Sequence, residues 1–197
     1  RRISGGSPHL GDVLHLMRDC FAYMDGRIDP PSSLGQTTLP SLQATADRDE
    51  IWVIGAPPLA SVVLSVKPAV LYLGKLCVAP SHQRLGLARH LITHAESRAR
   101  ALHLGQLELQ TRVELLDNHA TFRALGFHEY ARTAHAGFDR PTSITLRKTV
   151  ACATPSHLLP QMAPLPFLPR ALPFFIARLP IGPLDSTHDR MLAIQDQ

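Results

Sequence analysis

The residues best suited to chemistry lie in one stretch, Val78-Ala79-Pro80-Ser81-His82-Gln83-Arg84-Leu85-Gly86-Leu87-Ala88. It joins an apolar run to the start of an amphipathic segment. Amides in a first helical turn lack intrahelical acceptors and sit at the positive end of the helix dipole. They form a natural seat for a phosphate or pyrophosphate. Gly86 has no Cβ and Ala88 only a methyl, so an anion can approach the backbone of Leu85, Gly86, Leu87 and Ala88. Gln83 can add a hydrogen bond, and Arg84 a planar positive charge. Neither the GxxxxGKS/T of a triphosphate loop nor the GxGxxG of a dinucleotide fold is present. Taken alone, small residues at these two positions would also serve close packing of a helix on a sheet.

A seat of this kind needs a strand before it and a helix after it, and the flanking pattern supplies both. Glu50–Ile54, Leu59–Val66 and Val70–Val78 are rich in Val, Ile, Leu and Tyr and read as strands. Gly55-Ala56-Pro57-Pro58 and Lys67-Pro68 turn the chain between them. A helix is predicted from about Leu85 to His103, with Leu85, Ala88, Leu91, Ile92, Ala95, Ala99 and Leu102 as its apolar stripe. Gly105 ends it, and Leu107–Thr111 reads as a strand. Strand, helix and strand with short links form a crossover, so this strand should lie parallel to Val70–Val78.

Upstream, Leu10, Val13, Leu14, Met17 and Phe21 recur at helical spacing within Pro8–Tyr23. A second, shorter helix is predicted from Pro40 to about Ala46, with Thr38 as its cap. Downstream, Asn118–Leu125 reads as a short helix stopped by Gly126. Phe127–Thr133 and Thr142–Lys148 follow as strands around a turn-rich loop at 137–141. The expectation is a mixed α/β sheet with helices on its faces, ending near Val150. From Ala151 the patterning is lost. Eight of the chain's 17 prolines fall there, and residues 151–197 read as a poorly patterned, proline-rich extension, packed on the domain or without an evolved role.

Composition narrows the function classes. At 45% apolar and 18% charged residues over 197 positions, the chain should fold as a soluble globule. A formal charge of +4 suits an anionic small ligand, but no basic run or basic-aromatic stripe points to nucleic acid. The apolar run Phe174-Phe175-Ile176 is too often interrupted to span a membrane. Cys20, Cys77 and Cys152 form no metal or disulfide pattern, so a reduced, cytoplasmic setting is expected. His82, His90 and His94 fall around a helix without ligand spacing, and no metal is expected.

A strand ending in Val-x-Pro, the Gln83-x-x-Gly86-x-Ala88 bend, an amphipathic helix, a parallel strand and a helix running into Leu125-Gly126-Phe127 occur in that order. The arrangement resembles the GNAT superfamily of acyl-CoA-dependent N-acyltransferases over about residues 8–150. The segment from Asn118 to Phe127 is similar to that family's cofactor-side helix. The resemblance implies an α/β fold whose mostly antiparallel sheet has one parallel, splayed strand pair. It places a domain at residues 1–150, its N-terminal strand shortened. Acetyl-CoA would be the acyl donor. Its pyrophosphate would sit at Gln83–Ala88, and its pantetheine would pair with backbone near Leu76, Cys77 and Val78, with Asn118 and Phe122 alongside.

Chemistry then requires a base for the protonated amine and a proton for the departing thiolate. Glu114, just beyond the parallel strand, is the preferred base over Glu108. Phe122 stands where the family often has an acidic tyrosine, so the proton must come from Tyr130, Tyr72 or water. Cys77 within an apolar strand reads as packing. Acceptor contacts are expected from two loops: Tyr23, Asp25, Arg27 and Asp29 in one, His135, Asp139 and Arg140 in the other. Aspartates there could take a cationic amine, and Arg27 or Arg140 a carboxylate. The resulting expectation is an N-acetyltransferase acting by direct attack on an amine of a small molecule or peptide, as a monomer or homodimer. A non-catalytic acyl-CoA sensor and an interaction protein are the competing readings.

Overall fold

A computed structural model describes residues 1–151. Seven strands form one sheet in the order β1-β2-β3-β4-β5-β7-β6. They are β1 (Arg2–Ile3), β2 (Glu50–Ile54), β3 (Ala60–Lys67), β4 (Val70–Val78), β5 (Gln106–Arg112), β6 (His128–Thr133) and β7 (Ser143–Thr149). Every neighbouring pair is antiparallel except β4 with β5. The sheet is thus mixed and mostly antiparallel, as expected. The proline-rich extension lies outside the described residues.

Two apolar cores flank the sheet. On one face, α1 (Leu10–Phe21) and α2 (Leu39–Arg48) cover β2 to β4 through Val13, Met17, Leu42, Ile51, Val63 and Cys77. On the other, α3 (Leu87–Ala101) and α4 (Leu116–Ala124) pack on Val62, Leu73, Leu107, Leu109 and Ile144. Strands β3 and β4 lie between both layers, so their first residues are buried on both sides. Truncating one such side chain to alanine typically costs about 2–5 kcal/mol. Edge strand β6 carries His128, Glu129 and Arg132 instead, and the Arg132 Nε to Glu129 Oε1 contact at 2.7 Å sits in solvent.

Local signals set the helix ends. Thr38 caps α2 through a reciprocal box: its Oγ1 accepts from Ser41 N–H at 3.3 Å, and Ser41 Oγ accepts from Thr38 N–H at 2.9 Å. Helix α4 stops at Gly126, φ +90°, and Lys148 Nζ donates to the Leu125 carbonyl at 2.7 Å. One sequence expectation is corrected here. Helix α3 begins at Leu87 rather than Leu85, because Gly86 precedes it in a left-handed conformation at φ +77°. Leu85 is accordingly 67% exposed and not part of the apolar stripe, and Leu102 falls just past the last turn. Strand β1, two residues long at the N-terminal end of the domain, pairs Arg2 with Trp52 and Ile3 with Ile51.

Candidate functional site

The site begins with a defect in β4. Ser61 pairs with Cys77 and Val63 with Gly74, so two residues of β4 face one of β3, and Lys75 in this bulge has φ +47°. A bulge bends its strand and raises the local twist. The consequence is visible on the far side of β4. Pairing with β5 extends only over Leu71–Leu107 and Tyr72–Glu108, although β5 continues to Arg112. Beyond Tyr72 the two parallel strands splay.

Alternation then orients the backbone of β4 beside the gap. The Ala79 amide is spent on Leu59 O at 2.8 Å, toward β3. Amides two residues apart share a direction, so those of Leu76 and Val78 face the splay. Cys77 lies on the other face of the strand, its Sγ 3.2 Å from Ser61 Oγ in the α1 core. Contact with Cys77, together with burial, holds the neighbouring Cys20 thiol well above its ordinary range.

The bend after β4 points at the same gap. Arg84 and Gly86 both have positive φ, +64° and +77°, which turns the chain sharply into α3. The first backbone bond of the helix runs from His90 N–H to Gly86 O at 3.0 Å, so the amides of Leu87, Ala88 and Arg89 precede the ladder. A Cβ built on Gly86 meets nothing within 4 Å. The glycine therefore serves its backbone conformation and an open approach, not close packing. Gln83 Nε2 donates to the Val78 carbonyl at 3.4 Å, which ties the bend to the strand end. This arrangement can receive an anion on backbone amides, with an extended chain running from it along β4.

The opposite wall, on the α1 face, is made of side chains. Glu108, Gln110 and Arg112 alternate with the core residues Leu107 and Leu109, so they share that face. Arg112 is 2% exposed. Its Nη1 donates to His135 Nε2 at 3.3 Å, and the Thr142 hydroxyl fixes His135 through both the backbone N–H and Nδ1. Burial, with Arg112 beside it, holds His135 below its usual range, which favours the neutral ring this pairing requires. Glu114 Oε2 lies 3.8 Å from Arg112 Nε, and Asp29 N–H donates to Glu114 Oε1 at 3.5 Å. Arg140 Nη2 sits 3.5 Å from Asp29 Oδ2, so the two loops expected over the acceptor meet above Glu114.

Other predicted residues take separate places. Asn118 is buried and donates from Nδ2 to Tyr23 Oη at 3.2 Å, linking α4 to the loop after α1. Burial pushes the Tyr23 phenol up to about 12, and Arg27 lies 5.6 Å from its ring centre. Phe122 is fully buried against Phe127, with ring centres 5.9 Å apart. Tyr130 is 59% exposed on β6, under the Arg147 guanidinium at 3.4 Å and separated from β4 by β5 and β7. Asp25 and Asp139 lie in the two loops, but no hydrogen bond or ion pair ties either side chain to Glu114 or Arg112 among the described contacts. Tyr72 lines a separate cavity of about 590 Å³ with Ser65, Lys67 and Gln110. Lys67 covers its ring at 3.4 Å. Arg112 was not singled out from the sequence. Its signal was present, as the third polar residue in an alternating strand, but its burial was not.

Comparison with known proteins agrees with this geometry. A family model described as the acetyltransferase (GNAT) family matches residues 12–127. The chain is similar in fold to the ribosomal-protein-S18-alanine N-acetyltransferase from Escherichia coli. That likeness has 18% identity and a TM-score of 0.55, covering 79% of this chain and 97% of that one. It is also similar to the PaiA N-acetyltransferase from Thermoplasma acidophilum in complex with coenzyme A, with 11% identity, TM-score 0.61 and coverage of 76% and 96%. An IAA acetyltransferase from Bacillus cereus gives 17% identity, TM-score 0.51 and coverage of 76% and 97%. No curated protein matches by sequence. Among the described residues, no helix is long and apolar enough to cross a membrane.

Proposed function

This chain belongs to the acetyltransferase (GNAT) family, and on that premise we propose that it moves an acetyl group from acetyl-CoA to a small-molecule or peptide amine by direct attack. The observation that carries the reading is the splay of β4 from β5 beside an open, positive-φ bend. A slot flanked by amides on one side and an anion seat at its end suits a pantetheine arm with a pyrophosphate.

In this reading the pyrophosphate rests on the amides of Leu85 to Ala88, with Arg84 adding charge. The arm pairs with Leu76 and Val78, and the same amides polarise the thioester carbonyl and stabilise the oxyanion. Asn118 and Phe122 support that side from α4, Asn118 by holding Tyr23 and Phe122 from within the core. Glu114 takes the proton from the acceptor ammonium. The amine nitrogen then bonds to the acetyl carbon and gives its second proton to water, the carbon–sulfur bond breaks, and the thiolate leaves. In this reading its proton comes from water, since Phe122 has none to give, Tyr130 lies beyond β5 and β7, and Tyr72 lines the separate cavity. Cys77 takes no part, since its sulfur faces Ser61. The loops of Tyr23 to Asp29 and His135 to Arg140 frame the acceptor. A cytoplasmic setting accords with Cys20 and Cys77 both being free thiols.

Phe122, standing where the family often has a tyrosine, favours one alternative, an acyl-CoA sensor without turnover. Both readings are tested by adding acetyl-CoA, first alone and then with a broad amine panel. Enzyme and sensor alike should melt at a higher temperature with the donor present. Only the enzyme should release free CoA thiol with an amine. No thermal shift sinks both.

A further inference from the structure

We infer that the acceptor is an α-amino acid, held by its carboxylate on Arg112 and by its ammonium on Glu114. This deepens the acetyl-transfer reading and rests on it.

The observation is a polar cluster around the buried Arg112 whose needs are only half met. Arg112 uses Nη1 on His135, but Nε and Nη2 have no hydrogen-bond partner among the described residues. These two nitrogens form one edge of the guanidinium, the fork that takes two oxygens of a carboxylate in parallel. Glu114 Oε2 is likewise a buried atom with no hydrogen-bond partner among the described residues, and its contact with Arg112 is an ion pair. At 3.8 Å from Arg112 Nε it is near enough to feel the charge and too far to close the bond. Leaving a buried charged donor unmet is costly, so such a group in a folded protein points to a role beyond packing.

The ligand that answers this cluster must bring two coplanar acceptor oxygens for the fork and, beside them, a donor for Glu114. An α-amino carboxylate does both with neighbouring atoms. An alkyl amine or polyamine leaves the fork unmet. A phosphate ester brings acceptors only and is repelled by Glu114. A peptide's first residue has an amide where the carboxylate should be. Placement agrees with the chemistry, because the ammonium would lie against the proposed base at the acceptor end of the splay.

Entry requires the two loops to part. Where the loops meet over the cluster, the described contacts between Asp29 and its partners are the Asp29–Arg140 pair at 3.5 Å, between exposed side chains, and the 3.5 Å bond from Asp29 N–H to Glu114. Exposed pairs of this kind contribute little.

The test compares the twenty free amino acids with their primary amides and with short peptides, using the full chain and acetyl-CoA. The best amino acid should exceed its amide in kcat/KM by on the order of 100-fold or more, because the amide leaves the fork unpaired. In CoA-saturated protein, the acid should raise the melting temperature and the amide should not. Arg112→Gln should erase both differences while the thermal shift from CoA alone persists. Arg112→Lys, which keeps the charge but not the fork, should recover little. Equal use of acid and amide by the native protein overturns the inference, and this holds even if Arg112→Gln does not fold. Acid selectivity that survives in a folded Arg112→Gln also overturns it. Loss of CoA binding in the native protein would instead sink the acetyl-transfer reading beneath it.

Discussion

The two walls of the splay are built from different material. On the proposed cofactor side, the groups on offer are backbone: amides at the start of α3 and along β4, set by positive φ at Lys75, Arg84 and Gly86. On the proposed acceptor side they come from side chains, the buried Arg112 with Glu114 and His135 half-buried beside it. Backbone amides are the same whatever the residue, so that wall can be built from many sequences with one conformation. Side-chain walls are specific to their letters. On the proposed reading, the general chemistry of the site resides in its shape, and its selectivity in Arg112 and the groups beside it.

The sharpest break of this comparison is Gly86→Glu. It puts an anion and a strained φ at the centre of the backbone wall. CoA-dependent thermal stabilisation is expected to vanish, with affinity down by about 100-fold or more, while circular dichroism still reports a folded protein. Unchanged CoA affinity would remove the anion seat from Gln83–Ala88. Glu114→Gln attacks the other wall. Loss of a general base typically costs about 10²–10⁴-fold in rate, so kcat should fall within that range as CoA affinity holds. A parallel loss of CoA binding would mean the two walls are not independent.

Arg84→Gly sharpens the contrast with the smallest effect. The native arginine sits at φ +64°, a conformation that costs a non-glycine residue about 1 kcal/mol. Glycine relieves it, so the variant should melt at the same or a slightly higher temperature, yet bind CoA roughly 10-fold more weakly for want of a charge. A destabilised variant with native CoA affinity would show that the guanidinium serves the fold.

These differences also explain what could be read beforehand. The order of strands and helices followed from period, turn residues and the Thr38 cap, because those are local. The bend proposed as the anion seat was legible for the same reason: Gly86 and Ala88 are neighbours in sequence as well as in space. The acceptor cluster was not. Arg112 and His135 lie 23 positions apart, and only the pairing of β5 with β7 brings them into contact. Nothing local distinguishes a buried arginine from an exposed one. The start of α3 was misplaced because Leu85 fits the apolar stripe by spacing, whereas the left-handed turn at Gly86 delays the helix by two residues.

The extra residue in β4 carries a last consequence. If the bulge at Lys75 is what keeps β4 from running straight alongside β5, removing that one position should let the strands zip together. The shortened chain ought to be the sturdier fold and the poorer catalyst, with a raised melting temperature and no response to CoA. Here the count of residues between two hydrogen-bonded partners, rather than any side chain, is the determinant of whether a tidy sheet becomes an enzyme.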